Sequence, residues 1–152
     1  MNDIDFMRIA FEEALIAYKS GEIPVGAVLV KDGVIISKAH NKRESLNDPT
    51  AHAEVIALRE GARIFGNWRL IDTTLYVTKE PCIMCAGAML NARIKRLVYG
   101  CKDERYGAIN SIYTLFSDGR LNHEIEVVNG ILKDECSKIL RNFFEERRLL
   151  KQ

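Results

Sequence analysis

Apolar residues recur at helical spacing from the first turn of the chain. Phe6, Ile9, Ala10, Ala14, Leu15 and Tyr18 fall on one face of a helix that Asn2 or Asp3 can cap and that ends near Gly21. The pattern then shifts to short β-rich runs. "VGAVLVKDGVIISKA" reads as two strands around Asp32-Gly33, a dipeptide suited to a two-residue hairpin turn. A polar stretch, "HNKRESLNDPT", leads to a second helix over residues 51–65. "TTLYVT" predicts a third strand, and a helix follows from about Pro81 through Asn91. "KRLVYG" and "IEVVNG" supply two more strands, and "DECSKILRNFFEERRLLK" a long closing helix. Strands alternating with helices after an initial hairpin predict an α/β protein: a mixed five-stranded sheet between helices on both faces, three layers in all. No linker, repeat or low-complexity tract interrupts the series, so residues 1–152 read as one domain.

Composition narrows the function classes. Apolar content of 47% and charged content of 28% are ordinary for a globular protein. A net charge of +1 gives no global signal for nucleic acid, so any RNA contact must rest on local groups. The N-terminus lacks the basic start and continuous apolar core of a signal peptide, and no apolar run approaches the roughly 20 residues that span a bilayer. A cytoplasmic protein without membrane contact is expected. In that compartment the 4 cysteines point to metal or free thiols before disulfides.

The chemistry begins at "EPCIMC", where Cys82 and Cys85 share one face of a helix's first turn. Pro81 or Cys82 is expected to open that helix, proline being favoured in a first turn. The helix's positive end favours thiolates. Two thiolates are half of a zinc site. The chain offers only His40, His52 and His123 as imidazoles, and the helix after residue 50 places His52 and Glu54 at its start. Two helix N-termini aimed at one metal, with His52, Cys82 and Cys85 as ligands, is the reading these spacings give. Zn²⁺ with two thiolates and a neutral imidazole is formally neutral, and three protein ligands leave a fourth position for water. Zinc brings that water's pKa toward about 7, and a carboxylate close by but off the metal, Glu54, can carry its proton. Neither Cys101 nor Cys136 has a partner at ligand spacing; both suit small buried hydrophobes. His40 and His123 suit local hydrogen bonding.

H-A-E followed by P-C-x-x-C is the zinc deaminase signature. The similarity extends further, through "IPVGAVLV", His40-Asn41, "DPTAHAEVIALREG", "NWRLIDTTLYVTKEPCIMCAGAMLNARIKRLVYG", Asn122-His123 and "GILKDECSKILRNFFEERR". Over nearly its whole length the chain resembles the bacterial tRNA adenosine deaminases, which have a cytidine deaminase-like fold. The metal motifs are shared with cytidine and guanine deaminases, and the closing "FF" and "RR" lean toward the tRNA enzymes. The resemblance implies hydrolysis of the wobble adenosine of a tRNA anticodon to inosine, with one Zn²⁺ per subunit. Zinc-bound hydroxide would attack C6 and Glu54 would shuttle the proton. It also implies that Asn41 and the backbone N–H of Ala53 hold the flipped base and that Pro24 and Val25 line the pocket. Phe144 and Arg147 would contact the anticodon stem-loop of a homodimer's tRNA. The loop "CKDERYGAINS" departs from the family at Arg105 and Tyr106, which are bulkier and differently charged.

Two other functions fit parts of the sequence. One is deamination of a free base or nucleotide such as guanine, cytosine or deoxycytidylate. The other is an RNA-gripping module with a purely structural zinc. Arg93, Lys95, Arg96, Lys102 and Arg105 flank one predicted strand and are read as a phosphate-binding stripe or a solvated face with equal weight. Phe143 and Phe144, adjacent on the closing helix, cannot both face the core, which leaves one for RNA or a partner subunit.

Overall fold

A computed structural model describes residues 1–151; residue 152 lies outside that description. The elements follow in the order α1 (Asp3–Lys19), β1 (Gly26–Lys31), β2 (Val34–His40), α2 (Ala53–Phe65), β3 (Thr73–Lys79), α3 (Ile83–Ala92), β4 (Arg96–Cys101), β5 (Glu126–Asn129) and α4 (Lys133–Leu150), with a short 3₁₀ turn at Leu115–Ser117. The five strands form one sheet in the order β2-β1-β3-β4-β5. β1 runs antiparallel to both β2 and β3, and β3, β4 and β5 are mutually parallel. The expected mixed sheet and three-layer architecture are both present.

Period-2 alternation builds the layers. Leu29, Leu75 and Leu97 are aligned across β1, β3 and β4 and enter the larger core with Met89 and Leu58 from α3 and α2. The next row, Val28, Tyr76 and Val98, points the other way and packs with Phe6, Met7 and Ala10 of α1. Apolar burial on both faces makes the central strands continuous hydrophobic runs, as a sheet covered on two sides requires. The hairpin turn has Asp32 at φ 50° and Gly33 at φ 75°, the paired left-handed conformations of a type I′ turn.

Asn2 caps α1 by accepting from the Asp5 N–H, and Asp5 returns the bond to the Asn2 N–H. The buried stripe of α1 is rotated from expectation. Phe6, Met7, Ala10, Glu13, Ala14 and Ala17 are buried, whereas Leu15 is 38% exposed and turns with Tyr18 toward α4. Glu13 joins the stripe because His40, at the end of β2, bonds it at 3.1 Å. The α1–sheet approach is so close that a Cβ on Gly26 would lie 1.9 Å from the Ala10 carbonyl oxygen, which reserves that position for glycine.

β2, β3 and β4 all end at the same edge of the sheet, where β1 begins. Every segment that could build a site there leaves a strand or enters a helix at this edge, the usual ligand position in open α/β sheets. No helix among the described residues is long and apolar enough to cross a membrane.

Candidate active site

At this edge His52 and Cys82 are the N-cap residues of α2 and α3, and neither helix start has a side-chain cap. The sequence predicts Pro81 or Cys82 at the opening of α3. Instead Cys82 adopts extended backbone (φ −76°, ψ 176°), which lets its side chain reach over the helix tip, and Pro81 precedes the cap. Cys85 lies one turn into α3 and is fully buried. The positive ends of the two helices thus meet at one point, an arrangement that favours negative charge there.

The His52 Nδ1 atom lies 3.6 Å from Cys82 Sγ and 3.4 Å from Cys85 Sγ. All three donor atoms fall within 4.8 Å of one another, the one such His/Cys/Asp/Glu cluster among the described residues. Tetrahedral zinc bonds with Zn–S of about 2.3 Å and Zn–N of about 2.0–2.1 Å demand an S···N separation of about 3.6 Å. The donor set therefore fits a zinc ion in both chemistry and spacing. A hydrogen bond from the Cys85 thiol holds Cys82 down to about 4 against the opposing effect of burial, and His52 adds to the lowering. That bond, followed by burial, raises Cys85, and the bond to Cys82 raises His52 against its own burial. Cys82 is thereby biased toward the thiolate and Cys85 toward the thiol, and a bound cation's charge would favour the thiolate at both.

Glu54 lies in the first turn of α2, is 4% exposed, and is raised above the ordinary carboxylate range chiefly by burial. It faces a cavity of about 460 Å³, together with His52, Ala53, Cys82, Asn41 and Val25. Asn41 is held by accepting from the Arg43 N–H at 3.1 Å and donating to the Ile23 carbonyl at 3.4 Å. Its amide retains one N–H and acceptor capacity for a ligand. The rim carries Arg43, Lys79, Arg105, Tyr106 and Phe144.

The remaining candidates are distributed differently. Pro24 is buried outside the cavity lining, while its neighbour Val25 lines it. Phe143 is 6% exposed and packs edge-on to Tyr18, leaving Phe144, at 42%, on the rim. Arg147 lies outside the cavity lining: its guanidinium lies over the Phe143 ring and donates to the Gly21 carbonyl. The basic stripe is not one surface. Arg93 and Arg96 precede or open β4 and are occupied by the Leu90 carbonyl and by Asp3, whereas Lys102 and Arg105 follow its far end. His123 bonds the Ile94 carbonyl at 2.7 Å, and Cys101 and Cys136 are buried free thiols.

Besides Glu13, two buried acids lack a distinguishing mark in the sequence. Glu22 (1% exposed) accepts from the N–H groups of Glu44 and Ser45. Burial acts to raise Glu22, but these donors prevail and hold it below the ordinary range. Glu80 (2% exposed) accepts from four donors in the loop after β4. Each fastens a loop beside the cavity. Their only sequence mark is an acid next to a strand or turn, which is also how a surface acid looks.

Residues 1–148 match the MafB19-like deaminase family. A tRNA-specific adenosine deaminase of Haemophilus influenzae is 54% identical over 96% of this chain and 85% of its own. The chain belongs to the tRNA-specific adenosine deaminase family. A solved chain from work on A-to-I editing by tRNA:A34 deaminases at the wobble position is 43% identical, covers 90% of this chain and 99% of its own, and superposes with TM-score 0.87. A guanine deaminase from Bacillus subtilis is also 43% identical, but it covers 67% of this chain and 66% of its own, with TM-score 0.65. The family match over residues 1–148 takes in most of α4, whose Phe144 reaches the rim.

Proposed function

We propose that this chain is a zinc-dependent hydrolase that converts the wobble adenosine of a tRNA anticodon to inosine. The observation that carries the reading is the His52–Cys82–Cys85 cluster beside buried Glu54, in a cavity whose rim carries Arg43, Arg105, Tyr106 and Phe144. Its volume suits a nucleobase with its sugar. Tyr106 and Phe144, 59% and 42% exposed, leave the rim bare, as a polynucleotide entering base first would need.

His52, Cys82 and Cys85 would hold one zinc ion, which, when bound, supplies a water acidified to near-neutral pKa. Asn41 and the Ala53 N–H orient the purine, and Val25 excludes solvent from its face. Glu54 accepts the proton of the water whose oxygen bonds to C6 and delivers it to N1. It then carries the second proton of that oxygen to the exocyclic amine. The C6–N6 bond breaks, ammonia leaves, and the oxygen remains as the C6 carbonyl of inosine. An adenosine in a single-stranded anticodon loop leaves its stack at a cost of only a few kcal/mol, which a paired stem would not allow.

The test is incubation of the zinc-loaded protein with tRNAs carrying a wobble adenosine, read by sequencing the anticodon. Inosine at that position is the expected result; ammonia from free guanine or cytidine with every tRNA untouched would overturn the reading in favour of a free-base deaminase. Such an enzyme would work in the cytoplasm with tRNA as its partner.

We assign the protein as a homodimer. Ile64, Trp68 and Ile83, each more than half exposed, lie on α2, just beyond its end and at the start of α3, where one subunit would cover them on another. Sedimentation at micromolar concentration should give the mass of two chains, and a single-chain mass would remove this assignment.

A further inference from the structure

The loop from residue 102 to residue 111 is folded around one side chain. Glu80 follows β3 directly, and its Oε1 accepts from the Asp103 N–H at 3.1 Å and the Ser111 hydroxyl at 2.6 Å. Oε2 accepts from the N–H groups of Ile109 at 3.0 Å and Asn110 at 2.7 Å. The fold leaves no slack around this carboxylate: a Cβ on Gly107 would lie 2.4 Å from Glu80 Cδ. Asp103, placed by that contact, accepts in turn from the N–H groups of Arg105 at 3.1 Å and Tyr106 at 3.2 Å and pairs with Lys79 at 3.0 Å. The backbone that carries Tyr106 is therefore fixed through two successive carboxylates.

What this framework presents is a mostly exposed aromatic ring. Tyr106 lines the cavity yet is 59% exposed, and the Arg105 guanidinium lies 5.6 Å from its ring centroid. A large, mostly exposed ring on a fastened loop, with a guanidinium at its edge and a cavity for a splayed-out base beside it, is the arrangement single-strand binders use to stack bases. Because the loop is ordered beforehand, stacking there incurs little ordering entropy.

We infer that Tyr106 is a stacking platform for the base adjoining the reacting adenosine, and that Glu80 is the positioning residue that holds this platform in place. The inference rests on the RNA-editing reading above. Tyr106 grips the neighbouring nucleotide and touches no reacting atom, so its contribution lies in KM and in the preference for what stands next to the adenosine.

The experiment is a double-mutant cycle across protein and RNA. Zinc-loaded wild type, Tyr106→Ala, Tyr106→Phe and Glu80→Gln are assayed on an anticodon stem-loop and on versions with an abasic site immediately 5′ or 3′ of the wobble adenosine. Tyr106→Ala is expected to raise KM about tenfold with kcat within about twofold, and Tyr106→Phe to behave as wild type. Removing the adjoining base on one side should cost the wild type a similar factor and cost Tyr106→Ala almost nothing more. Glu80→Gln puts an amide N–H₂ against loop donors and should reproduce the Tyr106→Ala pattern at unchanged zinc content. Wild-type KM in Tyr106→Ala, or additive losses at both abasic positions, overturns the platform. Wild-type KM in Glu80→Gln, or a loss confined to its zinc content or kcat, overturns the positioning role. A wild type that leaves the stem-loop adenosine intact overturns the editing reading and this inference with it.

Discussion

Glu54→Gln is expected to lower the rate of inosine formation by about 10³-fold, the scale of a lost general acid–base group, while zinc content and RNA affinity stay at wild-type values. The residue is nearly isosteric with its replacement, so the cavity keeps its shape. What disappears is the capacity to take up and release a proton beside the ligand cluster. Burial is the main cause of Glu54's raised proton affinity, and the Cys82 thiolate adds to it. Both move the carboxylate toward the range in which it can accept a proton from water and still surrender it to an amine. The same burial makes Glu54 costly to the fold, so the neutral amide should leave the melting temperature equal or higher. Single-turnover inosine formation, metal analysis and a gel-shift titration together decide the matter. A variant that edits within tenfold of wild type would remove Glu54 from the reaction, and one that fails through lost zinc would make it a support of the metal site.

Cys82→Ser should lose the metal. Changes to groups that merely support metal ligands weaken affinity by about 10–100-fold, and removal of a thiolate ligand should exceed that range. Cys82 is also the N-cap residue of α3, and its partner His52 is the N-cap residue of α2, with no side-chain cap bond at either helix start. A bound cation would therefore stabilise both helix starts, and its loss should appear as a lowered melting temperature as well as lost activity. Cys101→Ala is the control: its thiol is buried away from the donor cluster, and the variant should keep its zinc. Full activity in a zinc-free Cys82→Ser protein would overturn the ligand assignment, as would zinc loss in the control with retention in the variant.

The sequence made the sheet, the hairpin and the closing helix legible because each depends on a local pattern: alternation, Asp32-Gly33, and apolar residues at helical spacing. The donor cluster was equally legible, since few imidazoles exist to complete a Cys-x-x-Cys pair. The failures share one cause, which is that the neighbours deciding a residue's environment are remote in the chain. Leu15 falls on the predicted core face but turns toward α4, and Glu13, which is off that face, is buried where His40 reaches it. Arg147 looked available for RNA but packs on Phe143, and the basic residues around β4 sit at opposite ends of a six-residue strand. Glu80 and Glu22 escaped because a buried carboxylate is identified by its donors, and those lie more than twenty positions away.

The way Glu80 fastens its loop also bears on how such an enzyme can change. Its bonds go to the backbone of residues 103, 109 and 110 and to the Ser111 hydroxyl, and none goes to the side chains of Glu104, Arg105 or Tyr106. Folding and identity are thus decoupled at the tip: those three positions can be randomised in a library while the strand–loop junction below them keeps its shape. A search for altered sequence context around the edited base should begin there.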